Sequence, residues 1–155
     1  MAYRQIFLKD NDSAIKKEAL ASGTVKPGFL LERTSATADT VKAHAQSGRK
    51  TGPTLVALED EIQGNGVADS YLTTTRVFFK ALKPGDEVVL RAANGQNIAK
   101  GDLVASNGNG YVRKALKDSS DTLVEDSIVG VALEAKDMSD SSAADPDDLF
   151  LVEIA

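Results

Sequence analysis

Cysteine and tryptophan are absent from the 155 residues, and histidine occurs once, at His44. Without cysteine there are no disulfides, no thiolate catalysis and no cysteine-held zinc. One histidine cannot build a histidine-rich metal site. On an alternating stretch it reads as a structural residue, since a catalytic triad also needs a serine and an acid brought to it by the fold. Aromatic residues amount to only 5%, few for a surface that stacks on sugar rings. No apolar run approaches the roughly 20 residues that cross a bilayer as a helix, so no membrane partner is expected. The opening MAYRQIFLKDND lacks the apolar stretch of an export signal, and synthesis in a cytoplasm is expected.

Charge of one sign is also scarce where it matters. From Asp118 onward eleven acids stand against one base, Lys136, which leaves the first 117 residues at +5 within a net charge of −5. An acidic chain is a poor general binder of nucleic acid, because that affinity comes largely from neutralising phosphates. The acidic end reads as a solvated face, or as one side of a molecule whose other side is docked. Its loop, with Asp137, Asp140, Asp145, Asp147 and Asp148, has oxygen ligands of the kind calcium takes, but lacks the glycine and terminal glutamate of the calcium-loop pattern. The glycine-rich QGNGV and SNGNGY match neither the dinucleotide nor the phosphate-loop spacing, and read as turns. No cofactor and no enzymatic activity are expected.

What is present is a series of turns. VKPGF (25–29) and LKPGD (82–86) set proline before glycine, as type II turns require, and ANGQ (93–96) and SNGNGY (106–111) carry the Asn-Gly of tight hairpins. Between them lie short β-branched and apolar runs. Strands are expected near 29–33, 40–44, 54–58, 77–81, 87–92, 103–105, 111–114, 127–134 and 149–154. The run SIVGVAL has the composition of a strand covered on both faces. Val-Ala-Leu-Glu occurs twice, at 56–59 and 131–134. Nine short strands with glycine-rich turns predict an all-β fold, a small barrel or sandwich.

Helix signals are weaker. Residues 11–23 have Asp12 or Ser13 as a cap, Gly23 as a stop, and Ile15, Ala19 and Leu20 on one face, which predicts about two helical turns. Another turn of helix is expected within 66–74, and 136–148 reads as a polar loop. Residues 1–22 are expected to form an amino-terminal arm ahead of a domain spanning 23–155. The arm combines Arg4, Lys9, Lys16 and Lys17 with Ile6, Phe7 and Leu8. It can order by adding a strand to a neighbour's sheet edge, or its apolar residues can pack on their own barrel.

The ordered set of Pro-Gly turn, LVALEDEIQGNGVADSY, LKPGDEVVLRAANGQNIAKGDLVASNGNGYVRKA and SIVGVALEAKDMSDSSAADPDDLFLVEI resembles tailed-phage head decoration, or capsid cement, proteins of the lambda type. The resemblance spans Lys16 to Ile154. It implies a β-tulip-like fold and a homotrimer on the outer surface of the capsid, with the major capsid protein as partner. It carries no catalytic residue. On that reading Arg4, Ile6, Phe7, Leu8, Lys9, Lys16 and Lys17 are the candidate contacts to capsid or neighbour. The alternative is a β-sandwich module on a virion surface that binds carbohydrate or a receptor.

Overall fold

The computed structural model describes residues 3–9, 15–34, 39–50, 52–117, 120, 126–140 and 147–155. In chain order the strands are β1 (Phe7–Lys9), β2 (Ile15–Ala21), β3 (Leu30–Arg33), β4 (Thr40–Ala43), β5 (Leu55–Ala57), β6 (Arg76–Ala81) and β7 (Glu87–Arg91). They continue as β8 (Asn97–Ile98), β9 (Leu103–Gly108), β10 (Tyr111–Lys114), β11 (Ile128–Ala132), β12 (Lys136–Asp137) and β13 (Leu149–Ile154). The fold is all-β, with no helix among the described residues.

Two β units share one chain. The first is a closed barrel in the order β2-β4-β3-β5-β6. All its neighbours are antiparallel except β2 and β4, which pair in parallel at Leu20↔Thr40 and Ala21↔Val41. The second is a six-stranded sheet in the order β1-β7-β13-β11-β9-β10. A parallel bridge between Ala92 and Val112 brings β10 back to the end of β7, so the sheet curls on itself. β8 and β12 form a small separate pair.

The barrel interior holds Phe79, Val77, Leu31, Val41 and Leu55 together with Ala19, Ala21 and Ala57. The outer sides of β3 and β5 are buried too, because Leu30 and Val56 belong to the core of the six-stranded sheet, with Phe150, Leu90 and Val152. The barrel wall is thus also one side of the second core. This explains the uninterrupted apolar run around residues 55–58. In β5 the side chains of Leu55 and Ala57 face the barrel while Val56 faces the sheet, as strand alternation requires.

The two Val-Ala-Leu-Glu segments therefore serve different units, one in β5 and one in β11. The expectation that SIVGVAL is covered on both faces is corrected. Val129 and Ala132 are buried, but Ile128 and Val131 are only half-buried. What fixes this stretch is Gly130, where a Cβ would lie 2.3 Å from the Glu153 carbonyl oxygen of β13. The Asn-Gly hairpin is as expected. Asn109 and Gly110 both have positive φ, 55° and 83°, the requirement of a type I′ turn.

The helix expected over 11–23 is a strand where the structure describes it. Its capping residues Asp12 and Ser13 lie outside the described residues, and Ile15–Ala21 is β2. Six residue pairs join β2 to β6, from Ile15↔Ala81 to Leu20↔Arg76. A short isolated helix has little stability of its own in water, and a ladder on each side of the segment outweighs it. Ala19 and Ala21 are the positions where β2 turns inward. The helical turn expected in 66–74 is absent as well. Tyr71 exchanges both backbone hydrogen bonds with Val25 (2.8 and 3.1 Å), and its hydroxyl donates to the Leu58 carbonyl at 2.8 Å.

Candidate interaction surface

The amino-terminal segment does not stand away from the molecule. Ile6 is fully buried in the core of the six-stranded sheet. Its N–H donates to Glu59 Oε2 at 3.1 Å, and its carbonyl accepts from Val89 N–H at 2.7 Å. Tyr3 O–H donates to Glu134 Oε1 at 2.6 Å, and the same oxygen accepts from Leu151 N–H at 2.9 Å. Burial, reinforced by that bond to Glu134, pushes the Tyr3 phenol well above its ordinary value, so it stays a donor. The glutamates that close the two Val-Ala-Leu-Glu segments thus hold the same strap, one from each unit. Of the two sequence alternatives for the arm, packing on its own fold describes Tyr3 to Lys9.

Ile6 is accordingly not an exposed contact residue, and β2 belongs to the barrel rather than to an arm. The remaining candidates come together more than the sequence suggested. Phe7 is half-buried on β1, with Leu8 and Lys9 exposed beside it. Lys80 Nζ lies 3.5 Å from the Phe7 ring centroid, and Lys16 Nζ lies 4.9 Å from that of Phe78. Lys16 and Lys80 are direct partners in the β2–β6 ladder. A stripe of two ammonium groups over two phenyl rings therefore crosses the outside of the barrel. It continues to Arg76, paired with Glu18 at 2.5 Å, and to the exposed Leu20. Lys17 is exposed but falls on the alternate face of β2, and Arg4 is exposed on the strap. The sequence reading missed Phe78 and Lys80. The signal was there in RVFFKA, whose alternation sends Val77 and Phe79 inward and leaves Phe78 and Lys80 outside.

The acidic loop is less uniform than its composition. Asp145 lies outside the described residues. Asp137 belongs to β12 and accepts from the Ser139 N–H and hydroxyl, at 3.0 and 2.6 Å. Asp148 is buried. Arg91 Nη1 reaches its Oδ1 at 2.5 Å, while the same guanidinium donates to the Pro27 carbonyl (2.7 Å) and the Val67 carbonyl (2.6 Å). Burial raises the Asp148 carboxyl above its ordinary value against the pull of Arg91. This is a rivet between barrel loops and sheet, and part of the presumed loop is core. No group of three or more metal-ligating side chains occurs among the described residues.

His44 is 5% exposed. Its Nδ1 lies 3.0 Å from Ser106 Oγ, and its Nε2 lies 3.9 Å from Glu32 Oε2. Burial lowers its pKa, with Glu32 pulling the other way. Histidine, serine and acid are thus neighbours, but Ser106 is 1% exposed and its Oγ accepts from Gly108 N–H at 3.2 Å. The contact to Glu32 is longer than a hydrogen bond.

No family model matches the chain, and no curated protein matches it. Among solved structures the fold is similar to the crystal structure of the head fiber gp8.5 N base in bacteriophage phi29. The TM-score is 0.55 at 13% identity, over 92% of this chain and 95% of that one.

Proposed function

We propose that the chain is a non-enzymatic structural protein of a tailed-phage head. On this reading it sits on the outer surface of the capsid as a homotrimer and stabilises contacts between major capsid protein subunits. The observation that carries the reading is the fold itself, shared along nearly the whole chain with the N base of a phage head fiber. That neighbour supports a head protein in general; the decoration role and the trimer rest on the sequence resemblance. The absence of a role in catalysis is supported by the burial of Ser106 beside His44.

The physical advantage of the trimer is avidity. A closed threefold ring makes equivalent contacts together, so the second and third form at high effective concentration. A ligand that binds only the assembled lattice stabilises it by mass action, about 2.7 kcal/mol per site at one hundred times Kd. The Phe7, Lys16, Phe78 and Lys80 stripe is the proposed capsid-facing surface. Its cations aid approach to an acidic partner, and the rings beneath them supply apolar area. Co-sedimentation with cognate heads, followed by image reconstruction of the decorated particles, tests the reading. Threefold density outside the shell is expected. Failure to sediment with the heads, or density on twofold axes, would overturn it.

A further inference from the structure

A small cleft lies where the barrel meets the six-stranded sheet, beneath the chain that joins β4 to β5. Its walls are apolar, from Leu31 and Leu55 on the barrel side and Val129 on the sheet side, and exposed Arg49 and Lys50 stand at its mouth. Thr54 also lines it. That residue is 5% exposed, and its hydroxyl Oγ1 is buried with no hydrogen-bond partner. The Thr54 carbonyl is already taken by Leu82 N–H at 2.8 Å. An orphan buried hydroxyl costs about 1–3 kcal/mol, and among the described residues it is the one side chain in that condition.

We propose that this cleft receives a single carboxylate side chain presented by a protein partner. The interior leaves about 20 Å³ for the centres of water-sized groups. That admits the oxygens of one carboxylate and excludes a sugar or a nucleotide. Thr54 Oγ1 donates to an oxygen at the bottom, the apolar walls cover the methylene stem, and Arg49 and Lys50 neutralise the charge at the mouth. Neither cation makes an ion pair among the described residues. The nearby acid, Glu32, is already compensated by Lys42 at 3.0 Å and by Ala45 N–H at 3.2 Å. A water molecule would satisfy Thr54 but leave both cations without a counter-charge.

The inference goes beyond the head-protein reading and its test does not require heads. The isolated protein is titrated with blocked glutamate (the N-acetyl amide), blocked glutamine and inorganic phosphate, following backbone amide shifts. Blocked glutamate is expected to move the amides of Gly48, Arg49, Lys50 and Thr54, with blocked glutamine inert. Arg49→Gln with Lys50→Gln weakens the response at least tenfold. Thr54→Val, which keeps the shape, weakens it about threefold to tenfold, the worth of one hydrogen bond. Equal responses to glutamate and glutamine overturn the proposal. So does tighter binding of phosphate, which would make the cleft a general anion site. No response to any probe, with Thr54→Val raising the melting temperature, leaves only a void and also overturns it.

Discussion

Phe79 at the centre of the barrel shares its core with three alanines, Ala19, Ala21 and Ala57, whereas Phe150 in the sheet lies among valine, leucine and isoleucine. The difference follows from closure. A barrel of five strands has a narrow interior, so one large ring must be balanced by small neighbours. The six-stranded sheet gains its depth by stacking on the outside of β3 and β5, and fills it with branched side chains. Closure also removes edges from the barrel, while the sheet covers its own with β1 and with the return of β10 to β7. The barrel is self-contained in hydrogen bonding but not in burial. Its outer wall needs the sheet, and the Arg91 rivet and the strap from Tyr3 to Lys9 join the two.

The largest expected effect comes from removing the rivet. Arg91→Ala leaves the Asp148 carboxyl buried without its cation and strips the Pro27 and Val67 carbonyls of a donor, a loss of about 3–5 kcal/mol. Adding Asp148→Asn is expected to restore part of it, because the uncompensated charge is gone. Phe79→Ala and Phe150→Ala are each expected to cost about 3–5 kcal/mol. In the parent background both should lower one shared unfolding transition in denaturant, followed by hydrogen exchange in each unit. Two separate transitions for either phenylalanine variant would show that barrel and sheet fold independently.

The paired glutamates give a finer comparison. Glu134→Ala orphans the Tyr3 hydroxyl and the Leu151 N–H together, and is expected to cost about 1–3 kcal/mol. Glu59→Ala frees only the Ile6 N–H, at about 1 kcal/mol. Denaturant midpoints measure both. The reverse order would mean that the barrel, not the sheet, carries the strap.

Much of this division was legible in advance. All nine expected strands are present, because alternation and glycine-bearing turns are local signals. The misread elements are those whose identity is decided elsewhere in the chain. β2 has a helix former's composition, and only its two neighbours in the barrel make it a strand. β1, β8 and β12 have two or three residues each, too few to show a period. For the surface, Lys16 was singled out from sequence and Lys80 was not, since their meeting is a matter of register. Ile6 was taken for an anchor because nothing in its neighbourhood says that Glu59 and Val89 will hold its backbone.

Acid probes the junction between the units through His44. Burial keeps its folded pKa below the ordinary 6.5, so the unfolded chain takes up the proton first. Its contribution is intact above pH 6.5 and is lost as pH falls from there through the lower folded value. The slope is at most about 1.4 kcal/mol per pH unit. Glu32, Lys42 and Ser106 are the polar groups facing it. His44→Gln should flatten the stability profile between pH 7 and 5. Further down, hydrogen bonds from Arg113 hold the Asp126 carboxyl below its ordinary value. Stability tied to that pair is present above the ordinary carboxylate range and disappears as pH falls through the depressed value, a loss that Arg113→Gln should remove.

The smallest effect on stability is expected at the outer stripe. Lys16 and Lys80 each lie over a phenyl ring, and an exposed pair of this kind contributes about 0.5–1 kcal/mol. They also face each other across the β2–β6 ladder, where like charges repel. Lys16→Gln with Lys80→Gln relieves that repulsion as it removes the ring contacts, so the net change should stay within about 1 kcal/mol. Two ammonium groups held side by side at little net benefit to the fold are what a docking surface for an acidic partner requires. If the stripe faces the capsid, the double variant melts with the parent yet binds heads at least tenfold more weakly, and the defect deepens as salt is lowered, because the parent alone gains from steering. A double variant that decorates heads like the parent would remove the stripe from the interface. One that unfolds well before the parent would show that the lysines serve the barrel instead.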